Sequence, residues 1–164
     1  MPVTDTSTDT ATHSLTITAR FEAPPTRVWA VYDDPRQLES VWGPPTYPAT
    51  FVDHDLRPGG RMTYYMTSPE GERFGGWWLV GEVEQPRRFT FDDGFADSDL
   101  EPDPTKPVSH CVYSFEGDGE ATVATYVSTF DSAEALEQVL AMGIEEGARS
   151  AIDQIDALLA AQPA

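Results

Sequence analysis

Three histidines, one cysteine and an acidic loop are the residues of this chain with the clearest chemical potential. A histidine beside a carboxylate can act as a general base, and a thiolate beside a positive charge can act as a nucleophile. His54 lies between Asp53 and Asp55, and His110 adjoins Cys111, but neighbours in a strand point to opposite faces. Adjacency therefore makes neither a His–Asp nor a His–Cys pair; only approach from a different strand would. His13 adjoins a polar N-terminal stretch. Cys111 sits mid-strand without a basic neighbour in sequence, the setting of a structural thiol. The acidic stretch "DSDLEPD" offers oxygen ligands, yet Pro102 stands where an EF-hand loop needs glycine, and the closing glutamate is missing. No phosphate loop, dinucleotide-binding glycine fingerprint, zinc-type cysteine pair or nucleophile elbow occurs. The expectation is no catalytic group, no metal site and no cofactor.

What remains is apolar: Met62, Tyr64, Met66, Trp77, Leu79, Phe89 and Phe91, all on segments that read as strands. "HSLTITARFEA" alternates apolar and polar residues, as a half-buried strand does. Two short helices follow, the first opened by Pro24–Pro25 and the second opened by Pro35 and stopped at Gly43–Pro44–Pro45. From "TFVDHDL" to "EATVATYVSTF" closely spaced strands alternate with turn signals such as Arg57–Pro58–Gly59–Gly60, which predicts an antiparallel meander. In "RMTYYMTS" the period of two puts Met62, Tyr64 and Met66 on the inner face and Thr63 and Tyr65 outside. In "RFGGWWLVGEVE" it groups Trp77, Leu79 and Val83 against Trp78 and Val80, with the first set assigned inward.

The last segment, from about Ala133 to Ala160, predicts one long helix capped by Asp131 or Ser132. Leu136, Leu140, Ile144, Ala148, Ala151, Ile155 and Leu158 form its apolar stripe. Gly143 and Gly147 border that stripe, each costing about 1 kcal/mol relative to alanine in a helix interior. Two explanations compete: the glycines let an aromatic such as Trp77 lie flat on the helix, or they leave room for a ligand. Close packing is the favoured expectation, because a cavity adds its own cost.

Bulk properties narrow the function. A chain of 164 residues, 40% of them hydrophobic, suffices for one domain with its own core. The expected division is a disordered tail over residues 1–12 and a single domain over 13–164. A net charge of −18, with Lys106 the only lysine, argues against nucleic acid and anionic membranes as partners. No apolar run reaches the roughly 20 residues of a membrane span, and no signal-peptide pattern opens the chain. With its single cysteine the chain suits a reducing cytoplasm. Either a monomer or a homodimer is compatible with these numbers.

Taken in order, "VWGPP", "DLRPGGRMTYYM", "SPEG", "EQPRRFTF" and "MGIEEGARSAIDQIDALL" resemble an AHSA-type domain. That family is named for similarity to the activator of the heat-shock-protein-90 ATPase and lies within the START-like SRPBCC superfamily. The resemblance covers roughly residues 13 to 160. It implies an α+β helix-grip fold: one strand, two short helices, six more strands of a curved antiparallel seven-stranded sheet, and a long C-terminal helix across the concave face. Val41 stands where a second tryptophan is usual, and Ala148 where tryptophan commonly follows the glycine. Superfamily members bind hydrophobic molecules, and a few catalyse cyclisation or hydrolysis. The expected function is therefore a cytoplasmic protein that binds a small hydrophobic molecule, with Met62, Tyr64, Met66, Trp77, Leu79, Phe89, Phe91, Gly143, Gly147 and Ala148 around it. An enzyme of polyketide cyclase or hydrolase type is the alternative, and a chaperone-partner domain the third.

Overall fold

In the computed structural model, which describes residues 2–161, the polar N-terminal stretch is a strand. β1 (Val3–Asp9) pairs antiparallel with β2 (Ser14–Phe21), correcting the expected disordered tail. The physical reason is the alternation of β-branched threonines, which suits a pleated edge strand whose outer face meets water. Asp9 Oδ1 accepts a hydrogen bond from the Ala11 amide at 2.8 Å and so shapes the turn. His13, with φ +56°, closes that turn rather than ending a loose tail. Met1 and residues 162–164, the outermost parts of the expected tail and domain, lie outside the described residues.

The seven expected strands are all present, so the sheet has eight, in the order β1-β2-β8-β7-β6-β5-β4-β3. After β2 come α1 (Pro25–Asp33) and α2 (Pro35–Trp42), the latter capped by Asp34, whose side chain accepts from the Arg36 amide at 2.9 Å. The meander then runs through β3 (Ala49–Asp53), β4 (Arg61–Thr67), β5 (Arg73–Glu84), β6 (Arg88–Ala96), β7 (Ser109–Asp118) and β8 (Ala121–Thr129). Gly59 at φ +80° makes the Pro-Gly turn before β4, a conformation that a Cβ would strain.

The C-terminal segment is two helices, α3 (Ala133–Ala141) and α4 (Ile144–Ala161). Ser132, not Asp131, caps α3, accepting from the Ala135 amide at 3.0 Å. Gly143 is not inside a helix. At φ +83° it ends α3, its amide donating to the Leu140 carbonyl at 3.0 Å, as a left-handed glycine terminator does. The break resets the helical phase. Leu136 and Val139 of α3 pack with Phe130, while α4 buries Ala151, Ile152, Ile155 and Leu159; Ile144, assigned to the continuous stripe, is 38% exposed.

The sheet is curved and open, and α4 lies on its concave side. α1 packs on β7 and β8, and α2 on β3, filling one part of the concavity. There Trp29, Trp78, Phe89, Leu38 and Met62 are fully buried, and Trp78 stacks on Phe91 with ring centroids 3.9 Å apart. α4 packs against α2, β2 and α1, and Gln154 Nε2 donates to the Gly43 carbonyl at 2.6 Å, tying it to the end of α2.

Candidate functional site: the cavity between sheet and C-terminal helices

Strand alternation decides which side chains face α4. β4 presents Met62, Tyr64 and Met66, β6 presents Phe89, Phe91 and Asp93, β7 presents Cys111, Tyr113 and Phe115, and β8 presents Ala124, Tyr126 and Ser128. Thr63 and Tyr65 take the outer face as expected, Thr63 donating to Asp53 and Tyr65 lying under the Arg73 guanidinium.

Where α1 and α2 do not reach, a hollow of about 610 Å³ remains between these strands and α3–α4. Of the ten residues singled out, Tyr64, Met66, Gly143, Gly147 and Ala148 border it. Met62, Phe89 and Phe91 do not; they belong to the packed core under α1 and α2. Val83, grouped with Trp77 and Leu79, does pack against the core, because a bulge between Val80 and Val83 shifts the strand's phase. Trp77 and Leu79, expected inside, point outward instead. Their strand neighbours Trp78 and Val80 point inward at 0% and 2% exposure, whereas Leu79 is 37% exposed. Trp77 lies flat over Gly94 of β6, where a Cβ would run into its ring, and its Nε1 donates to the Phe95 carbonyl at 3.1 Å. The aromatic-on-glycine packing expected at the helix thus occurs within the sheet. A second instance sits inside, where Gly76 accommodates the Tyr64 ring.

Neither Gly143, between the helices, nor Gly147, within α4, has another element packed against its Cα. A Cβ at Gly147 would meet no atom within 4 Å, which overturns the close-packing expectation. Ala148 likewise borders open space, and Trp77 does not fill it. Around the mouth, Tyr47, Phe74, Met142 and Ile144 are exposed apolar side chains that also line the cavity.

Among the polar lining residues that the sequence reading does not single out, one carries a buried carboxylate. Asp93 faces the cavity, its Oδ1 accepting from the Tyr64 hydroxyl at 2.9 Å. Its exposure is to the hollow, between protein walls, and this burial pushes its pKa up to about 7, opposed by the Tyr64 hydrogen bond. The signal was available: Asp93 continues the Phe89–Phe91 phase by two. Burial also raises the Cys111 thiol, which rests near Ser128 Oγ at 3.7 Å, and the Tyr64 and Tyr113 hydroxyls, keeping all three neutral. Deeper in, the Tyr32 hydroxyl donates to that of Tyr126 at 2.9 Å.

The histidines lie elsewhere. His54 Nε2 bonds the Tyr32 carbonyl at 2.8 Å, a tether between the β3 end and α1. His110 is on the outer face with Nδ1 2.7 Å from Asp92 and Nε2 3.0 Å from Asp131; the Asp92 hydrogen bond leads in raising its pKa. The acidic loop turns inward on itself, Asp97 Oδ1 accepting from the amides of Asp99 and Glu101. Among the described residues no group of three or more His, Cys, Asp or Glu side chains is placed to hold a metal ion.

The profile of the family described as "Activator of Hsp90 ATPase homolog 1-like protein" matches residues 22–160. The chain belongs to this family. Other members place it further. The crystal structure of protein Ms6760 from Mycobacterium smegmatis is 61% identical over 96% of this chain and 97% of that one, with a TM-score of 0.90. A solution structure from Arthrobacter aurescens is 45% identical over 96% of this chain and 92% of its own, with a TM-score of 0.93. An AHSA1 protein from Silicibacter pomeroyi, 23% identical with a TM-score of 0.73 over 91% of this chain and 99% of its own, shares the fold. No curated protein matches the chain. The helix-grip architecture is what this AHSA1-like chain shares with these structures.

Proposed function

We propose that this AHSA1-like protein binds a small hydrophobic molecule in the cavity between its sheet and α3–α4. The observation that carries the proposal is the volume of about 610 Å³ left beside α4, where Gly147 has no neighbour to pack against. Ligand pockets fall in the range of roughly 300–1,000 Å³ and are mostly apolar with a few polar groups, as here. Four exposed apolar residues, Tyr47, Phe74, Met142 and Ile144, line the cavity, whereas Val52 and Leu79 are exposed away from it, which favours ligand entry over a separate docking surface for a chaperone. No helix among the described residues is long and apolar enough to cross a membrane, and a cytoplasmic protein with a reduced, buried Cys111 is the setting we propose. Native mass spectrometry of freshly purified protein tests the proposal. A small molecule retained in the native spectrum and lost on denaturation is expected. Protein that carries none and also takes up no apolar probe would sink it.

A second function has one specific observation in its favour. An aspartate with a pKa of about 7, facing a largely apolar cavity, is the type of group that cyclases and hydrolases use as a proton acceptor. If the protein is an enzyme of that type, Asp93→Asn should lower turnover by about 10²–10⁴-fold while leaving ligand binding measurable. Equal turnover in the variant would remove Asp93 from the chemistry.

A further inference from the structure

Asp93 is a carboxylate that lines the cavity beside no basic side chain; a cation described near the lining, Lys106, lies over the Phe95 ring, its Nζ 5.4 Å from the ring centroid. Among the described residues that line the hollow there is no lysine, arginine or histidine; the other carboxylate, Glu146, is exposed on α4. The Tyr64 hydroxyl occupies Asp93 Oδ1, and the carboxylate borders the open space of the hollow. A carboxylate in a hollow lined by Trp42, Tyr64, Phe95 and Tyr113 is costly to ionise, and the rise of its pKa to about 7 expresses that desolvation.

We propose that the ligand is a hydrophobic molecule carrying a protonatable amine, seated with its ammonium group against Asp93. This rests on the cavity being a ligand site. The ammonium supplies the missing countercharge and donates to the carboxylate beside its bond from the Tyr64 hydroxyl, while the apolar part of the molecule lies among the aromatic side chains that line the hollow. Where Asp93 was protonated beforehand, its proton leaves to solvent as the ammonium enters, so charge balances within the site. Anionic amphiphiles are disfavoured by the same geometry, because a carboxylate or phosphate head placed there would face Asp93 with no base in the lining to offset it. The net charge of −18 adds a long-range attraction for cations that salt weakens, whereas a pair formed inside the cavity is screened much less.

The test compares decylamine, 1-decanol and decanoate, matched in chain length, at about pH 8 and about 0.15 M salt. Decylamine is expected to bind at least about tenfold tighter than decanol, with decanoate weakest. Asp93→Asn should bring the amine and the alcohol to within about threefold of each other, with decanol affinity kept as the sign of an intact cavity. Glu137→Gln, which removes one exposed charge on α3, should leave the amine preference unchanged. Decanol binding as tightly as decylamine, or an amine preference that survives Asp93→Asn, would overturn the amine proposal while leaving the cavity as a ligand site. If none of the three binds, the ligand-site proposal fails and the amine proposal with it.

Discussion

Asp92 and Asp93 are consecutive residues of β6 and meet opposite fates. Asp92 points out, where it accepts from His110 Nδ1 at 2.7 Å beside Asp131, in water and with a cationic partner available. Asp93 points in, where its partner is the neutral Tyr64 hydroxyl and burial holds its pKa near 7. The two faces of one sheet therefore handle the same side chain differently. Outside, a carboxylate is solvated and pairs with a base; inside, it is left short of a countercharge and so is poised to take a proton or a cation. The tryptophans Trp77 and Trp78 repeat the contrast without charge: one covers a glycine on the outer face, the other is at the centre of the core.

The largest expected effect comes from that tryptophan pair. Trp78→Ala should cost about 3–5 kcal/mol of stability, since a fully buried indole with stacked neighbours is removed. Trp77→Ala should cost clearly less, because its ring is part-exposed and loses one hydrogen bond and its contact with Gly94. Denaturant unfolding of both variants decides this, and equal losses would mean that the faces of β5 have been confused.

Next comes the carboxylate pair. In the unfolded chain the Asp93 carboxyl ionises near pH 4, and in the folded protein at about 7. Between those values the folded state holds a proton that the unfolded state has released, so stability falls as pH rises through this window and the deficit is complete above about pH 7. The groups facing Asp93, namely Tyr64, Cys111 and Tyr113, stay neutral throughout it. Asp93→Asn should therefore gain about 1–3 kcal/mol at pH 8 and little at pH 4. A variant less stable than the parent at pH 8 would show that Asp93 is already satisfied there.

Two glycines give a smaller, opposed pair of effects. Gly143→Ala should destabilise by about 1 kcal/mol, since its backbone lies at φ +83°. Gly147→Ala should stabilise by a comparable amount, because its Cβ enters open space on a helix. Thermal unfolding of the two variants should move in opposite directions, and movement in the same direction would contradict the assigned backbone roles.

The smallest effect belongs to the outer face. His110 has a raised pKa in the folded state, so its contribution is fully present below its unfolded pKa and disappears as pH rises through the folded one. His110→Gln should cost less than about 1 kcal/mol at pH 6 and nearly nothing at pH 9, as befits an exposed pair. A cost that grows with pH would reverse the sign of this linkage.

These contrasts also mark what the residues revealed and what they concealed. Alternation places Met62, Tyr64 and Met66 inward and separates Trp77 and Leu79 from Trp78 and Val80. It cannot orient a strand whose two faces are both apolar, and it misses the bulge between Val80 and Val83 that turns Val83 to the inner face. The phase of Phe89 and Phe91 runs on to Asp93, and following it two residues further would have found the cavity carboxylate. β1 was hidden because an edge strand of threonines carries little apolar pattern. The continuity of the apolar stripe from α3 to α4 masked Gly143, although Met142–Gly143 fits a helix end as well as a helix middle. Whether the hollow beside Gly147 is filled depends on side chains from β4, β6, β7 and β8 at once, which no local pattern encodes.

The central claim is that this hollow receives an apolar molecule, and titration with the neutral fluorophore N-phenyl-1-naphthylamine tests it most directly. The measurement uses the parent and Gly147→Leu, with thermal unfolding recorded on the same samples. The account predicts that the parent binds the fluorophore with enhanced emission. The leucine variant should be as stable as the parent or more so, and should bind at least about tenfold more weakly as its side chain fills the space. Contradiction would take either of two forms: a variant destabilised by about 1–3 kcal/mol, the signature of an already packed site, or one that binds the fluorophore as the parent does.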